Sequence, residues 1–170
     1  MKSGFLVWVT GLAGSGKTTL SLKLQQELRQ RNIDTILLDG DLLREVTSED
    51  LGYTRQDRLV DAFRKAKLCY FLTNQGFNVI CSTISLFNTV HDYNREKIKD
   101  YIEILIEVDL DTLARRKPEL YSGNIENVWG IDLEPEWPAN PTLVLDGNRD
   151  LTVNSDQTIE LIERRLSSSV

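Results

Sequence analysis

Short, uninterrupted apolar runs along the chain alternate with longer stretches whose apolar residues recur every three or four positions. FLVWVT (5–10) is the first such run, the signature of a strand buried on both faces. Lys17 to Arg31 then carries Leu20, Leu24 and Leu28 four apart, one stripe of a helix. DTILLD (34–39) predicts a second strand ending in an acidic DGD turn, and Thr54 to Gln75 a helix with an Ala/Leu/Phe face stopped by Gly76. NVICSTIS (78–85), YIEILIEV (101–108) and TLVLD (142–146) complete the expected strands. Between and after them NTVHDYNREKIKD, DLDTLARR and SDQTIELIERRL read as helical. The alternation predicts an α/β fold: a parallel sheet of about five strands with helices on both faces, in one domain over 1–170. From Lys117 to Pro141 the period lapses into Pro, Glu, Asn, Gly and Trp. A stretch of roughly 25 residues of that kind reads as a lid or a disordered segment.

Composition narrows the partners. The chain of 170 residues is 41% hydrophobic and 27% charged, ordinary for a globular domain with a sizeable core. Its formal net charge of -6 argues against a nucleic-acid partner, whose binding rests on a basic face. The N-terminal apolar run is too short for a secretory or membrane-spanning segment, so a cytoplasmic protein is expected. Cys69 and Cys81 belong to no C-x-x-C or His/Cys cluster and read as free, buried thiols. His91, the single histidine, is expected at the surface or at a pocket edge.

The candidate chemistry lies where the predicted strands end, where open α/β sheets bind ligands. GLAGSGKTT meets the Gly-x4-Gly-Lys-Thr phosphate-loop pattern, placed between a strand and a helix as that pattern requires. Gly11, Ala13, Gly14, Ser15, Gly16 and Thr19 would form the cradle of a nucleoside triphosphate. Lys17 would reach the β- and γ-phosphates of ATP, and Thr18 would hold Mg²⁺. Asp39 and Asp41 can reach a Mg²⁺-bound water or a hydroxyl about to be phosphorylated, Asp41 being the candidate for the hydroxyl. Of Arg115, Arg116 and Lys117, which open the lid, Arg115 is taken as the candidate nucleotide contact. A nucleotide sensor without transfer activity would leave the DGD turn without a role.

These motifs, followed in order by LDGDLLRE, LGYTRQDR, STIS and LYSG…WGID, resemble the adenylyl-sulfate (APS) kinase family from Gly11 to about Leu145. The resemblance implies a P-loop ATP:nucleotide 3′-phosphotransferase, often dimeric, with a mobile lid. It implies that Asp41 lies beside the acceptor hydroxyl, and that Arg44 and Arg58 bind the acceptor's anionic portion. It further implies that Tyr53 stacks on the acceptor base while Ile84 and Ser85 line that pocket.

The departures cluster at the acceptor. DRLVDAFRK stands where the family has DR-x-E-N-x-R-R, placing Asp61 at the Asn position and Phe63 at an Arg. ISLFNTVHDYNRE replaces ISP-[YF]-R and its further arginines, leaving Arg95 as the candidate cation. VWGID replaces FTGID, so Trp129 becomes a candidate aromatic wall. A carboxylate repels a sulfate or phosphate oxygen but suits a group that donates, such as an amide on phosphorus. Relatives of the family in capsule-building pathways phosphorylate cytidine 5′-diphosphoramidate on its ribose. That acceptor and adenylyl sulfate both stand as expectations, the first slightly ahead, with a kinase of another small metabolite behind them.

Overall fold

A computed structural model of the chain describes residues 3–168 and contains one fully parallel sheet. Its strands are β1 (Leu6–Thr10), β2 (Ile36–Asp39), β3 (Val79–Ser82), β4 (Tyr101–Glu107) and β5 (Leu143–Asp146), side by side in the order β2-β3-β1-β4-β5. Met1, Lys2, Ser169 and Val170, inside the expected 1–170 domain, lie outside the described residues. The helices are α1 (Lys17–Gln30), α2 (Gly40–Thr47), α3 (Arg55–Asn74), α4 (Asn88–Lys97), α5 (Leu110–Arg116), α6 (Pro118–Tyr121) and α7 (Leu151–Ser168). The chain winds outward from β1 to β2, returns to β3 beside β1, then crosses to β4 and β5. All five strand ends therefore point the same way.

β1 is buried along its whole length because its two sets of alternating side chains enter two different cores. Phe5, Val7 and Val9 meet Leu20, Leu24 and Leu28 of α1 and Ile159 and Ile162 of α7. Leu6 and Trp8 meet Ala62, Ala66 and Cys69 of α3 and Val90 of α4. Burying each leucine of the α1 stripe contributes about 1.5–3 kcal/mol, which is what fixes the helix, and hence the loop before it, against the sheet. Cys69 and Cys81 are free and buried as expected, and burial pushes the Cys69 thiol up.

Three elements differ from their sequence reading. The DGD segment is a helix start rather than a turn: Asp39 caps α2 by accepting from the backbone N–H of Asp41 at 3.0 Å and of Leu42 at 3.3 Å. Gly40 is there because a Cβ would come within 2.6 Å of the Ser82 carbonyl oxygen, so the helix begins pressed against β3. His91 is buried rather than at a surface, with Nδ1 2.8 Å from Glu103 Oε1. Glu103 also accepts from the Tyr101 hydroxyl at 2.7 Å and from Arg95 at 2.9 Å. Burial by itself would raise the Glu103 carboxyl, but the bonds from His91 and Tyr101 outweigh it and hold the group below its ordinary value. The third is the 117–141 segment, which packs on the body with a short helix of its own. Pro118 opens α6, and Trp129 inserts into the core against Phe87, ring centroids 5.1 Å apart and edge-on. Trp137, in the same segment, is exposed. Among the described residues no helix is long and apolar enough to cross a membrane.

Candidate active site

A cavity of about 660 Å³ opens at the carboxyl ends of β1, β2 and β3. The phosphate loop enters it from β1 and turns into α1. Gly11 has φ +145, and a Cβ there would meet the Ile106 carbonyl oxygen at 2.5 Å, so only glycine lets the loop leave the strand this closely packed. Gly16 caps α1 in the left-handed conformation with no side chain folded over the helix end. The first-turn N–H groups therefore face the cavity beside Lys17, Thr18 and Thr19. Lys17 is buried, with its ammonium donating to the Leu12 carbonyl at 2.7 Å. Burial lowers its pKa to about 8 against the opposing pull of Asp41 and Asp39.

Asp39 does two things at once. One carboxylate oxygen caps α2, and the other accepts from Thr18 Oγ1 at 2.9 Å and, more distantly, from Ser82 Oγ at 3.5 Å. Parallel pairing of β2 with β3 sets Asp39 beside Ser82, so the register builds this contact. A hydroxyl and a carboxylate meeting at a phosphate loop form a hard oxygen pair of the kind Mg²⁺ takes alongside phosphate oxygens and water. The residues present fit that ion. Asp41, one residue into α2, also lines the cavity.

Across the cavity stands a group built from α2, α3 and the loop between them. Arg44 donates to the backbone carbonyls of Gly52 and Leu51 and lies 4.4 Å above the Tyr53 ring. Arg58 donates to the Tyr53 carbonyl at 3.1 Å and, across to the lid, to the Asn127 carbonyl at 2.8 Å. Burial, then the neighbouring Arg44, lowers the Arg58 pKa. Asp61 lines the same cavity, 3.4 Å from Arg44 and 2.6 Å from the ammonium of Lys65. The far wall is Ile84, Ser85, Phe87 and Trp129.

Most of the sequence-predicted residues thus converge: Ala13, Gly14, Gly16, Lys17, Thr18, Thr19, Asp39, Asp41, Arg44, Tyr53, Arg58, Asp61, Ile84, Ser85 and Trp129 all line one cavity. Ser15 lies instead in an adjoining recess between the phosphate loop and α7. Two assignments are corrected. Arg95 is not among the residues lining the cavity: its guanidinium is spent on Asp92 of its own helix and on the buried Glu103 of β4. Among the described residues Arg115 bonds within its own helix, to Thr112, whereas Arg116 reaches the Gly14 and Gly147 carbonyls at 3.2 and 3.0 Å and lines both the cavity and the recess. In a helix that ends at Arg116 the two arginines point about 100° apart, so adjacency does not make them interchangeable.

Sequence reasoning missed Lys65 and Phe87. Lys65 is readable as an i, i+4 partner of Asp61, and Phe87 as an aromatic two residues past the Ile84–Ser85 wall.

The 117–141 segment is pinned to the body towards its far end. Glu136 takes the Arg55 guanidinium on one oxygen and the Asn88 N–H, at 2.8 Å, on the other, and Arg55 lies 5.1 Å above the Phe87 ring. At the near end the Tyr121 hydroxyl donates to the Ala13 carbonyl at 2.8 Å. The Arg55–Glu136 pair is partly exposed and contributes little to global stability. Arg55→Ala is therefore expected to leave the melting temperature within a few degrees while raising acceptor KM about three- to tenfold by loosening the 117–141 segment over the cavity. Steady-state kinetics alongside thermal unfolding checks both halves.

A phosphate loop on a five-stranded parallel sheet, with carboxylates across from it, defines the class: a P-loop kinase. The adenylylsulphate kinase family profile matches residues 3–146, and the chain belongs to that family. It is 40% identical over 168 residues to a cytidine diphosphoramidate kinase of Campylobacter jejuni, with 96% of each chain covered. It is 34% identical over 155 residues to an adenylyl-sulfate kinase of Clostridium kluyveri, covering 88% of this chain and 78% of that one. Among solved structures, the Mycobacterium tuberculosis APS kinase in complex with AMPPNP and APS superimposes with a TM-score of 0.87 at 29% identity, covering 96% of this chain and 99% of the other.

Proposed function

We propose that the protein transfers the γ-phosphoryl group of ATP to the ribose 3′-hydroxyl of a nucleotide carrying a 5′ anionic group, and that this nucleotide is cytidine 5′-diphosphoramidate. The observation that carries the reading is the single cavity shared by the phosphate loop, Asp41 and the Arg44–Arg58–Asp61 group. Phosphoryl transfer asks the protein for positioning and charge stabilisation rather than covalent chemistry. Lys17 and the α1 N-terminus hold the β- and γ-phosphates. Thr18 and Asp39 would hold Mg²⁺, which would supply positive charge to the phosphate oxygens. Asp41 accepts the proton of the attacking hydroxyl. Arg44 and Arg58 take the 5′ anion with forked donors. Tyr53 and the Trp129–Phe87 pair flank the base, and Arg116 closes over the phosphate loop.

The reading of the acceptor is supported by the carboxylate of Asp61 among the arginines, and by identity with the Campylobacter relative across nearly the whole chain. Adenylyl sulfate is the second reading, favoured by the likeness to the APS-bound mycobacterial enzyme. The protein acts in the cytoplasm as a single domain, alone or as a homodimer, and takes neither nucleic acid nor membrane as a partner. ADP release from ATP and Mg²⁺, with the two acceptors in parallel and product masses recorded, tests the proposal. Turnover of the cytidine compound with a gain of one phosphoryl group supports it. Turnover of adenylyl sulfate alone replaces it with the second reading, and nucleotide binding without release to either acceptor defeats it.

A further inference from the structure

Asp61 and Lys65 form an ion pair almost closed to water, 7% and 4% exposed, in the wall of the acceptor cavity. They sit one turn apart on α3, which is anchored by the Thr54–Asp57 capping box at its start and by Ala62, Ala66 and Cys69 packed on the sheet. The pair is therefore held on a rigid element. Its bonding is lopsided. Asp61 Oδ2 receives Lys65 Nζ at 2.6 Å and stands 3.4 Å from Arg44, whereas Asp61 Oδ1 is buried and accepts nothing. A buried carboxylate oxygen left without a donor is destabilising, a cost that persists only if the fold cannot avoid it or a ligand relieves it. Here the fold could avoid it, since an apolar pair of similar size would fill the same space, often with no loss of stability.

We infer that the Asp61–Lys65 pair is the element that selects an N–H-bearing terminal phosphorus over an all-oxygen anion. The Asp61 carboxylate, which has an oxygen still without a donor, accepts from the amide hydrogen of the acceptor's terminal P–NH₂, and Lys65 is a positioning residue that keeps that carboxylate aimed. The pair sums to no net charge, so it adds nothing to the general pull on anions. That pull comes from Arg44 and Arg58. What the pair adds is a pattern: an acceptor atom at the spot where a phosphate or sulfate would bring a second lone pair. An all-oxygen anion meets repulsion there, and the amide meets a hydrogen bond. The inference rests on the proposed phosphoramidate acceptor but concerns the group on phosphorus and not the base.

The test compares kcat/KM for cytidine 5′-diphosphoramidate and cytidine 5′-diphosphate, and for adenosine 5′-diphosphoramidate and adenylyl sulfate. It uses the wild type, Asp61→Asn, Lys65→Met and the double variant, with ATP affinity of each measured to show an intact phosphate loop. The wild type is expected to prefer the amide within each pair. Asp61→Asn, whose side chain can donate, is expected to shrink that preference at least tenfold, chiefly through KM. Lys65→Met is expected to shrink it in the Asp61 background and to do nothing further to the ratio once Asp61 is Asn. A merely structural lysine would lower both kcat/KM values together and leave the ratio alone. If only the adenosine compounds react, the cytidine assignment fails while the amide-to-sulfate ratio still judges the pair. A ratio unchanged by Asp61→Asn, or an additive effect of Lys65→Met on it, overturns the inference.

Discussion

Lys17→Ala is expected to reduce acceptor-dependent ADP release about a thousandfold while leaving the fold intact. Two unit charges about 4 Å apart attract by about 4 kcal/mol at an effective dielectric of about 20. Each 1.36 kcal/mol is a factor of about ten in rate. Losing the ammonium that faces the phosphates therefore costs roughly three decades if its contact is made in the transition state. Stability should move little. Lys17 is buried and its pKa is lowered to about 8, so the charged form is a cost to the folded state, which alanine removes. Against that, the Leu12 carbonyl loses its donor. Because the folded-state pKa lies below the unfolded value, the cost is full below about pH 8 and fades as pH rises toward 10.5. Wild-type stability relative to Lys17→Ala should accordingly climb across that window. Catalysis runs the other way: the free enzyme loses the ammonium above about pH 8, so kcat/KM for ATP falls there, while kcat persists to higher pH because bound phosphate favours the proton. Titrating the kinetics and chemical denaturation of both proteins reads all of these. Normal turnover by Lys17→Ala would remove the proposed mechanism at its root.

How far such a site is legible in the chain depends on how local its causes are. The phosphate loop was readable because its geometry is set by glycines within one strand–loop–helix unit, and β1 because both its faces are apolar. The cap at Asp39 was misread since Asp-Gly-Asp satisfies the rules for a turn equally well. The contact that made it a helix start, Gly40 against the Ser82 carbonyl, comes from a residue 42 positions away. Arg95 and His91 were misplaced for a similar reason. Arg95 looks free for an acceptor, and His91 looks like a residue of the surface or a pocket edge, until β4 brings Glu103 beneath α4, a pairing that no local pattern encodes. Arg115 and Arg116 differ only in helical phase, and a boundary shift of one residue exchanges their roles. Lys65 was hidden by its type: a lysine in a helix is taken as solvated unless something shows that its neighbour is a buried carboxylate. The resemblance supplied the identity of the acceptor class, and local physical reading supplied the objection to it at Asp61.

Asp41→Asn is expected to lower kcat about a hundredfold or more, with ATP binding and Mg²⁺ dependence unchanged, whereas Asp39→Asn should alter Mg²⁺ dependence first. The two carboxylates are two residues apart, yet the fold gives them different surroundings, which is why the proposed mechanism gives them different roles. Asp39 is held in place by the α2 backbone on one oxygen, which sets its other oxygen beside Thr18 and Ser82 at the phosphate loop, the position proposed for the ion. Asp41 lies past the cap, on the first turn of α2, facing the same cavity as Lys17. A positioned base accepting a proton in the transition state contributes about 10²–10⁴ in rate. Asparagine keeps the size and the helix position of Asp41 but cannot take the proton, so the loss appears in kcat rather than in stability. Replacing Asp39 is different again: asparagine still caps α2, at a cost to the helix of about 1 kcal/mol or less, but it removes a negative charge from the ion. Half-saturation by Mg²⁺ should rise in Asp39→Asn and hold steady in Asp41→Asn. If instead Asp41→Asn retains full kcat at saturating Mg²⁺, the proton leaves by another route and Asp41 only shapes the cavity. The burden would then fall on positioning by Arg44 and Arg58, and the same titration in Arg44→Ala would show a loss of kcat as large as the one Asp41 failed to give.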